Sequence, residues 1–157
     1  MNVGEIKEKI KSDGFNIVGG EIRVWGEFWY IDESQVEKFA NTYFDNINWN
    51  SDDFSPNSPR LTPKILHIYP GKQLSWQYHF RRAEHWRVLK NEVGVIISDT
   101  DELGEMQTYY PDDYIFIKQG KRHRLLGLET DCLLAEIWQH SDKNNPSDEF
   151  DIFRLNI

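Results

Sequence analysis

From Leu61 to His140 the chain is a succession of short apolar stretches: PKILHIYPG, LSWQYHF, WRVL, VGVIIS, MQTYY, YIFIK, RHRLLG and CLLAEIWQH. The breaks between them fall at Pro70-Gly71, Lys90-Asn91-Glu92, Asp99 to Gly104, Pro111-Asp112-Asp113 and Gly127 to Asp131. Each stretch is too short for a stable helix and rich in the β-branched and aromatic residues that fit a pleated surface. Strands of this length and spacing indicate an all-β barrel or sandwich. The acidic run Asp99 to Gly104 begins like a calcium loop, but the pattern fails after its first positions, so it reads as a solvated hairpin tip. No internal repeat is evident.

The residues before Leu61 read differently. Val3, Ile6 and Ile10 share one face of a short amphipathic helix that Asp13-Gly14 stops. FNIV, a Gly19-Gly20 turn and EIRVWGEFWYI then read as strand. Ser34 and Glu37 fit a capping box opening a helix from about Gln35 to Tyr43, which would bury Val36, Phe39 and Tyr43. The polar run from Asn46 to Pro59 reads as a long loop, either a lid or a connector.

At 157 residues the length favours one domain with a proper core. Its parts are an N-terminal region over 1–60, a barrel over 61–141 and a tail over 142–157. A net charge of −8, from 18 basic and 26 acidic residues, lacks the basic footprint of a nucleic-acid binder. Cys132 stands alone in an apolar run, so it reads as a buried thiol rather than a nucleophile. The start, MNVGEIKEKIKSDG, has no signal-peptide core, and no stretch is long enough to span a membrane. These features lead to the expectation of a cytoplasmic protein that binds neither nucleic acid nor membrane.

The chemistry concentrates in GKQLSWQYHFRRAEHW, residues 71–86. On an extended strand Gln77 and His79 leave the same face. A tight turn after His79 would bring Glu84 beside them. An amide oxygen, an imidazole and a carboxylate meeting at one point would suit a divalent cation. A polar hairpin facing solvent is the other reading of the same residues.

This segment resembles the signature of type II mannose-6-phosphate isomerases, which are cupins often joined to a mannose-1-phosphate guanylyltransferase. In the first cupin motif Gly71 would open the pattern, Gln77 and His79 would stand at the two His positions, and Glu84 would be the carboxylate. Asn91 replaces the closing Gly and tolerates the same left-handed turn. Gly120 and His123 resemble the second cupin motif, with Lys118 in place of its usual Pro. The resemblance implies an all-β double-stranded β-helix, or jelly roll, with a short helical N-terminal extension. It also implies one divalent metal held by Gln77, His79, Glu84 and His123: zinc first, with manganese, cobalt, nickel or iron as alternatives. Arg23-Val24-Trp25-Gly26 partly resembles the family's Arg-Pro-Trp-Gly element. Glu149, Asp151, Ile152 and Arg154 match its C-terminal string, whose last residues this chain lacks.

Family matches also imply roles for residues outside the metal set. Lys64 would line the barrel near the metal with Glu136 as its partner, and would be the first candidate to move a proton, Glu136 the second; the rival for Lys64 is a surface position at a sheet edge. Arg82 would hold an anionic substrate from a solvated position, so its loss should harm turnover more than folding. Arg122 and Arg154, with Lys121 and Arg124, could bind a phosphate. His67 reads as a core histidine, His85 as pointing away from the metal, and His140 as solvated at a strand end. Three functions fit these residues. The first is a metal-dependent aldose–ketose isomerase for a sugar phosphate. The second is a non-catalytic cupin that binds a sugar or sugar nucleotide. The third is a non-haem iron dioxygenase, because His79, Glu84 and His123 are also a two-histidine, one-carboxylate set. A homodimer paired through sheet edges is expected as well.

Overall fold

The computed structural model describes residues 1–45 and 60–156. The expected loop over 46–59, with its lid reading, lies outside the described residues. Helix α1 covers Val3–Ser12 and α2 covers Val36–Tyr43. The strands are β1 (Ile17–Arg23), β2 (Gly26–Ile31), β3 (Arg60–Ile68), β4 (Gln77–Tyr78), β5 (Arg82–Lys90), β6 (Val93–Ser98), β7 (Gln107–Tyr109), β8 (Tyr114–Ile117), β9 (Arg122–Gly127), β10 (Cys132–His140) and β11 (Phe153–Arg154). They form a six-stranded sheet, β1-β2-β3-β10-β5-β8, and a five-stranded sheet, β11-β4-β9-β6-β7. All the pairings are antiparallel.

Period-two alternation assigns the six-stranded sheet to two cores. Leu133, Ala135 and Ile137 of β10, with Ile65 of β3, pack under Ile6, Ile10, Phe15, Phe39 and Phe44. The intervening Cys132 and Leu134, with Leu66, Ile68, Trp86 and Val88, meet Val93, Val95 and Leu125 of the other sheet. A strand buried on both faces must be apolar on both, which is why CLLAEIW reads as a continuous run. The inward set continues along β10 to Glu136 and Trp138 and along β5 to Glu84 and Arg82, so one face of each strand passes from core to site.

Local expectations fared unevenly. Gly19-Gly20 is not a turn: β1 runs through it, with a register irregularity between Ile17 and Gly19, and the chain reverses at Val24-Trp25 instead. Gly26 follows that reversal because a Cβ there would sit 1.9 Å from the His67 carbonyl oxygen. Asp32 rather than Ser34 caps the short 3-10 turn Glu33–Gln35 that leads into α2, its carboxylate accepting from the Ser34 N–H at 3.0 Å. Phe39 and Tyr43 are buried as expected, whereas Val36 is only half-buried and Ala40 takes its place. Asn91 adopts a φ of 62°, the left-handed turn its side chain tolerates, where the chain leaves one sheet for the other. Among the described residues no helix is long and apolar enough to cross a membrane.

Candidate metal centre and its cavity

His79 follows directly on β4, Glu84 lies on β5 and His123 on β9, so two sheets meet at this point. β4 and β5 do not pair with each other, and the link between them crosses from one sheet to the other. His79 Nε2 lies 3.2 Å from His123 Nε2 and 3.2 Å from Glu84 Oε1, and His123 Nε2 lies 3.5 Å from Glu84 Oε2. All three residues are buried. Gln77 is in register with His123, and its Oε1 accepts from the Ser75 hydroxyl at 2.8 Å.

The outer nitrogens determine the tautomers. His79 Nδ1 is 2.7 Å from the Asp151 carbonyl oxygen, and His123 Nδ1 is 2.9 Å from that of Lys121. A carbonyl can only accept, so each Nδ1 carries the proton and each Nε2 turns a lone pair inward. Burial, the largest influence on both rings, lowers their pKa values, that of His79 to about 4, so both are neutral. Burial would raise the Glu84 pKa, but the Arg82 guanidinium 2.8 Å from Oε1 outweighs it and holds the carboxyl ionised. Donors about 2.1 Å from a common ion, at tetrahedral or octahedral angles, lie roughly 3.0–3.4 Å apart. The two 3.2 Å separations fall in that range and the 3.5 Å one just exceeds it, so His79, Glu84 and His123 are placed to hold a divalent cation.

Arg82 occupies the flank of this nest. Its guanidinium donates to Glu84 Oε1 at 2.8 Å, Ser147 Oγ at 2.7 Å and the Asp148 carbonyl at 3.0 Å, and it lies 3.1 Å from His79 Nε2. It stacks 3.7 Å from the centroid of the Trp138 ring. The residue is 5% exposed, so the expectation of a solvated Arg82 is corrected. β5 alternation points it inward with Glu84 and Trp86.

A cavity of about 270 Å³ adjoins the nest, lined among others by Gln77, Glu84, Lys64, Glu136, Glu149 and Arg154. Register places Glu136 opposite both Lys64 and Trp86. Its carboxylate accepts from Trp86 Nε1 at 2.6 Å and lies 3.6 Å from Lys64 Nζ. Burial first, then the nearby charge of Glu84, pushes the Glu136 pKa up to about 7. Lys64 is buried rather than at a surface edge: it bonds Glu149 at 3.1 Å and sits 4.1 Å from the ring centroids of both Phe28 and Trp138. Arg154 also lines the cavity.

Arg122 does not join them. Alternation along β9 turns His123 inward and its neighbours outward, so Arg122 bonds Asp101 at 2.8 Å and covers the Tyr78 ring, while Lys121 pairs with Asp99. His67 is a buried partner of Asp131 at 2.7 Å, and His85 points away from the nest to Tyr114 and Gln139. His140 is not solvated but 2% exposed, bonded to Thr62 and to the Ser147 N–H. Ser147, Glu149 and Asp151 escaped the sequence as site neighbours. Only the last two carried a signal, their match to the family tail.

Two antiparallel sheets around a shared core, with an imidazole–carboxylate nest where β4, β5 and β9 approach, define a cupin. Within that class the chain belongs to the family described as "Mannose-6-phosphate isomerase C-terminal", whose model matches residues 32–155. The chain is 35% identical over 69 residues to a mannose-1-phosphate guanylyltransferase of Sinorhizobium fredii, covering 44% of this chain and 12% of that protein. It is 27% identical over 128 residues to the mannose-1-phosphate guanylyltransferase ManC of Salmonella typhimurium, covering 80% of this chain and 21% of that one. The fold resembles oxalate decarboxylase from Bacillus subtilis, with a TM-score of 0.60, 14% identity and coverage of 87% of this chain and 30% of that one. It also resembles the capsular polysaccharide assembling protein CapF from Staphylococcus aureus, with a TM-score of 0.56, 16% identity and coverage of 88% and 34%.

Proposed function

We propose that the chain is a metal-dependent aldose–ketose isomerase acting on a sugar phosphate of the mannose 6-phosphate type. The observation that carries this reading is the nest of inward lone pairs beside a cavity lined by Glu136, a carboxyl group that titrates near neutrality. His79, Glu84 and His123 would hold the cation, with Gln77 as a fourth donor. A divalent cation there supplies Lewis-acid stabilisation of the negative charge that develops on the sugar oxygens.

The remaining work falls to side chains. Glu136, ionised, takes the proton from C2 of the aldose as the enediolate forms and returns it to C1, while the hydroxyl proton of O2 passes to O1, which gives the ketose. A carboxyl group with a pKa near the working pH serves both directions. Lys64, held between two carboxylates and two aromatic rings, stabilises Glu136 as it ionises. This reverses the order of the sequence reading, which placed Lys64 first. Arg154, exposed and lining the cavity, offers its fork to the phosphate.

A sugar-binding module without turnover is the second reading. It is favoured by the cavity lining, which includes Gln77 and Glu84 but neither His79 nor His123. Incubating metal-replete protein with mannose 6-phosphate in deuterium oxide separates the two. The isomerase incorporates deuterium at C2 and forms the ketose phosphate. Binding of the sugar phosphate with no exchange selects the module.

A further inference from the structure

The link between β4 and β5, residues 79–81, carries His79 and leads directly into Arg82, yet it belongs to neither sheet. Its backbone amides at Phe80 and Arg81 therefore need acceptors from elsewhere. Both come from one residue. Asp151 accepts the Phe80 and Arg81 N–H groups on its two carboxylate oxygens, each at 3.0 Å, and the Ser147 hydroxyl at 2.6 Å. The backbone carbonyl of the same residue takes the His79 Nδ1 proton at 2.7 Å.

Asp151 is itself fixed. It is 5% exposed, and its N–H donates to Asp148 Oδ1 at 3.0 Å within a turn that also receives the Phe150 N–H. Ser147 at the start of that turn accepts Arg82 at 2.7 Å. Three residues after Asp151, Arg154 pairs with Gln77 as β11 joins β4. The stretch from Ser147 to Arg154 thus touches Gln77, His79 and Arg82, all three from outside the nest.

The His79 contact governs what the nest can bind. With its proton on Nδ1, His79 offers a lone pair from Nε2. With the proton moved to Nε2, an N–H would point at His123 and Glu84, and a cation would lose a donor. We propose that Asp151 is a positioning residue for the nest: its carbonyl selects the His79 tautomer, and its carboxylate sets the β4–β5 link. The docked Ser147–Asp151 turn thereby prepares His79 Nε2 for a divalent cation. This inference rests on reading the nest as a metal site.

The test uses the full chain as wild type, Asp151→Asn, Ser147→Ala and a distant control, Tyr43→Phe, which loses a 2.7 Å bond to Asp13. Nitrogen-15 spectra of the metal-free proteins report which ring nitrogen of His79 is protonated. Zinc affinity is read by competition with a chromogenic chelator. Wild type and control should show His79 protonated at Nδ1 and bind zinc equally well. Asp151→Asn keeps the backbone carbonyl but sets an NH2 donor against the link N–H groups, which undocks the turn and draws that carbonyl away from His79. It should lose the single tautomer and bind zinc roughly 10–100-fold more weakly, with Ser147→Ala shifted less in the same direction. If Asp151→Asn does not fold, Ser147→Ala decides. Wild-type tautomer and zinc affinity in the decisive variant overturn the proposal, as does a wild-type His79 protonated at Nε2. Wild-type protein that binds no zinc, yet loses its Nδ1–H tautomer in Asp151→Asn, refutes the metal reading and leaves the positioning role standing.

Discussion

Replacing Arg82 by Met distinguishes a buried charge clamp from a solvated substrate ligand. Methionine keeps much of the aliphatic stem and removes the guanidinium. The wild-type group neutralises Glu84, which is 3% exposed, and satisfies Ser147 Oγ and the Asp148 carbonyl. Its loss leaves a buried carboxylate whose remaining neighbours are neutral imidazoles. Breaking a buried pair from one side costs about 3–5 kcal/mol, against roughly 0–1 kcal/mol for an exposed one. At about 4 kcal/mol, Tm falls by roughly 8–16 °C in a domain of this size. Urea denaturation of metal-free protein measures the loss directly, and the variant's zinc affinity should hold, because Arg82 also faces His79 Nε2 as a competing cation. A loss below about 1 kcal/mol would refute the reasoning, because Arg82 would then behave as a surface residue.

Glu136→Gln should cut deuterium exchange at C2 of mannose 6-phosphate by roughly 10²–10⁴-fold, with circular dichroism and zinc binding unchanged. Arg154→Ala should raise KM for the phosphorylated sugar several-fold and leave the weak turnover of free mannose unaltered; equal effects on both substrates would remove Arg154 from the phosphate site. His140, whose pKa burial lowers to about 4, accepts the Ser147 N–H as a neutral ring. Its stabilising contribution is therefore complete above the unfolded pKa near 6.5 and is lost as pH falls through 4. Urea midpoints should drop over that window, and by less in His140→Gln.

Much of the fold was legible because its signals are local. The strand series, the turn residues and the left-handed Asn91 each follow from a few adjacent side chains. The misreadings share a different cause. Gly19-Gly20 looks like a turn until β1 pairs with β2, where a Cβ on Gly20 would sit 2.5 Å from the Phe28 carbonyl oxygen. Arg82 and His140 look solvated because their partners lie more than sixty residues away or in the tail, at Ser147. Arg122 sits next to a nest histidine in sequence, yet strand alternation sends it to the opposite face. Glu149 and Asp151 were visible only as a family string, because hydrogen bonds between a tail and a distant link leave no periodic trace.

The central claim is that His79, Glu84 and His123 form a working cation site, and elemental analysis tests it most directly. Protein purified without chelator, or stripped and reloaded with zinc, manganese or cobalt, should carry about one divalent ion per chain, as expected of a nest with a single point of convergence. His79→Ala and His123→Ala should lose most of that metal while remaining folded. Wild-type protein that takes up no metal on reloading, or variants that retain it in full, would contradict the account.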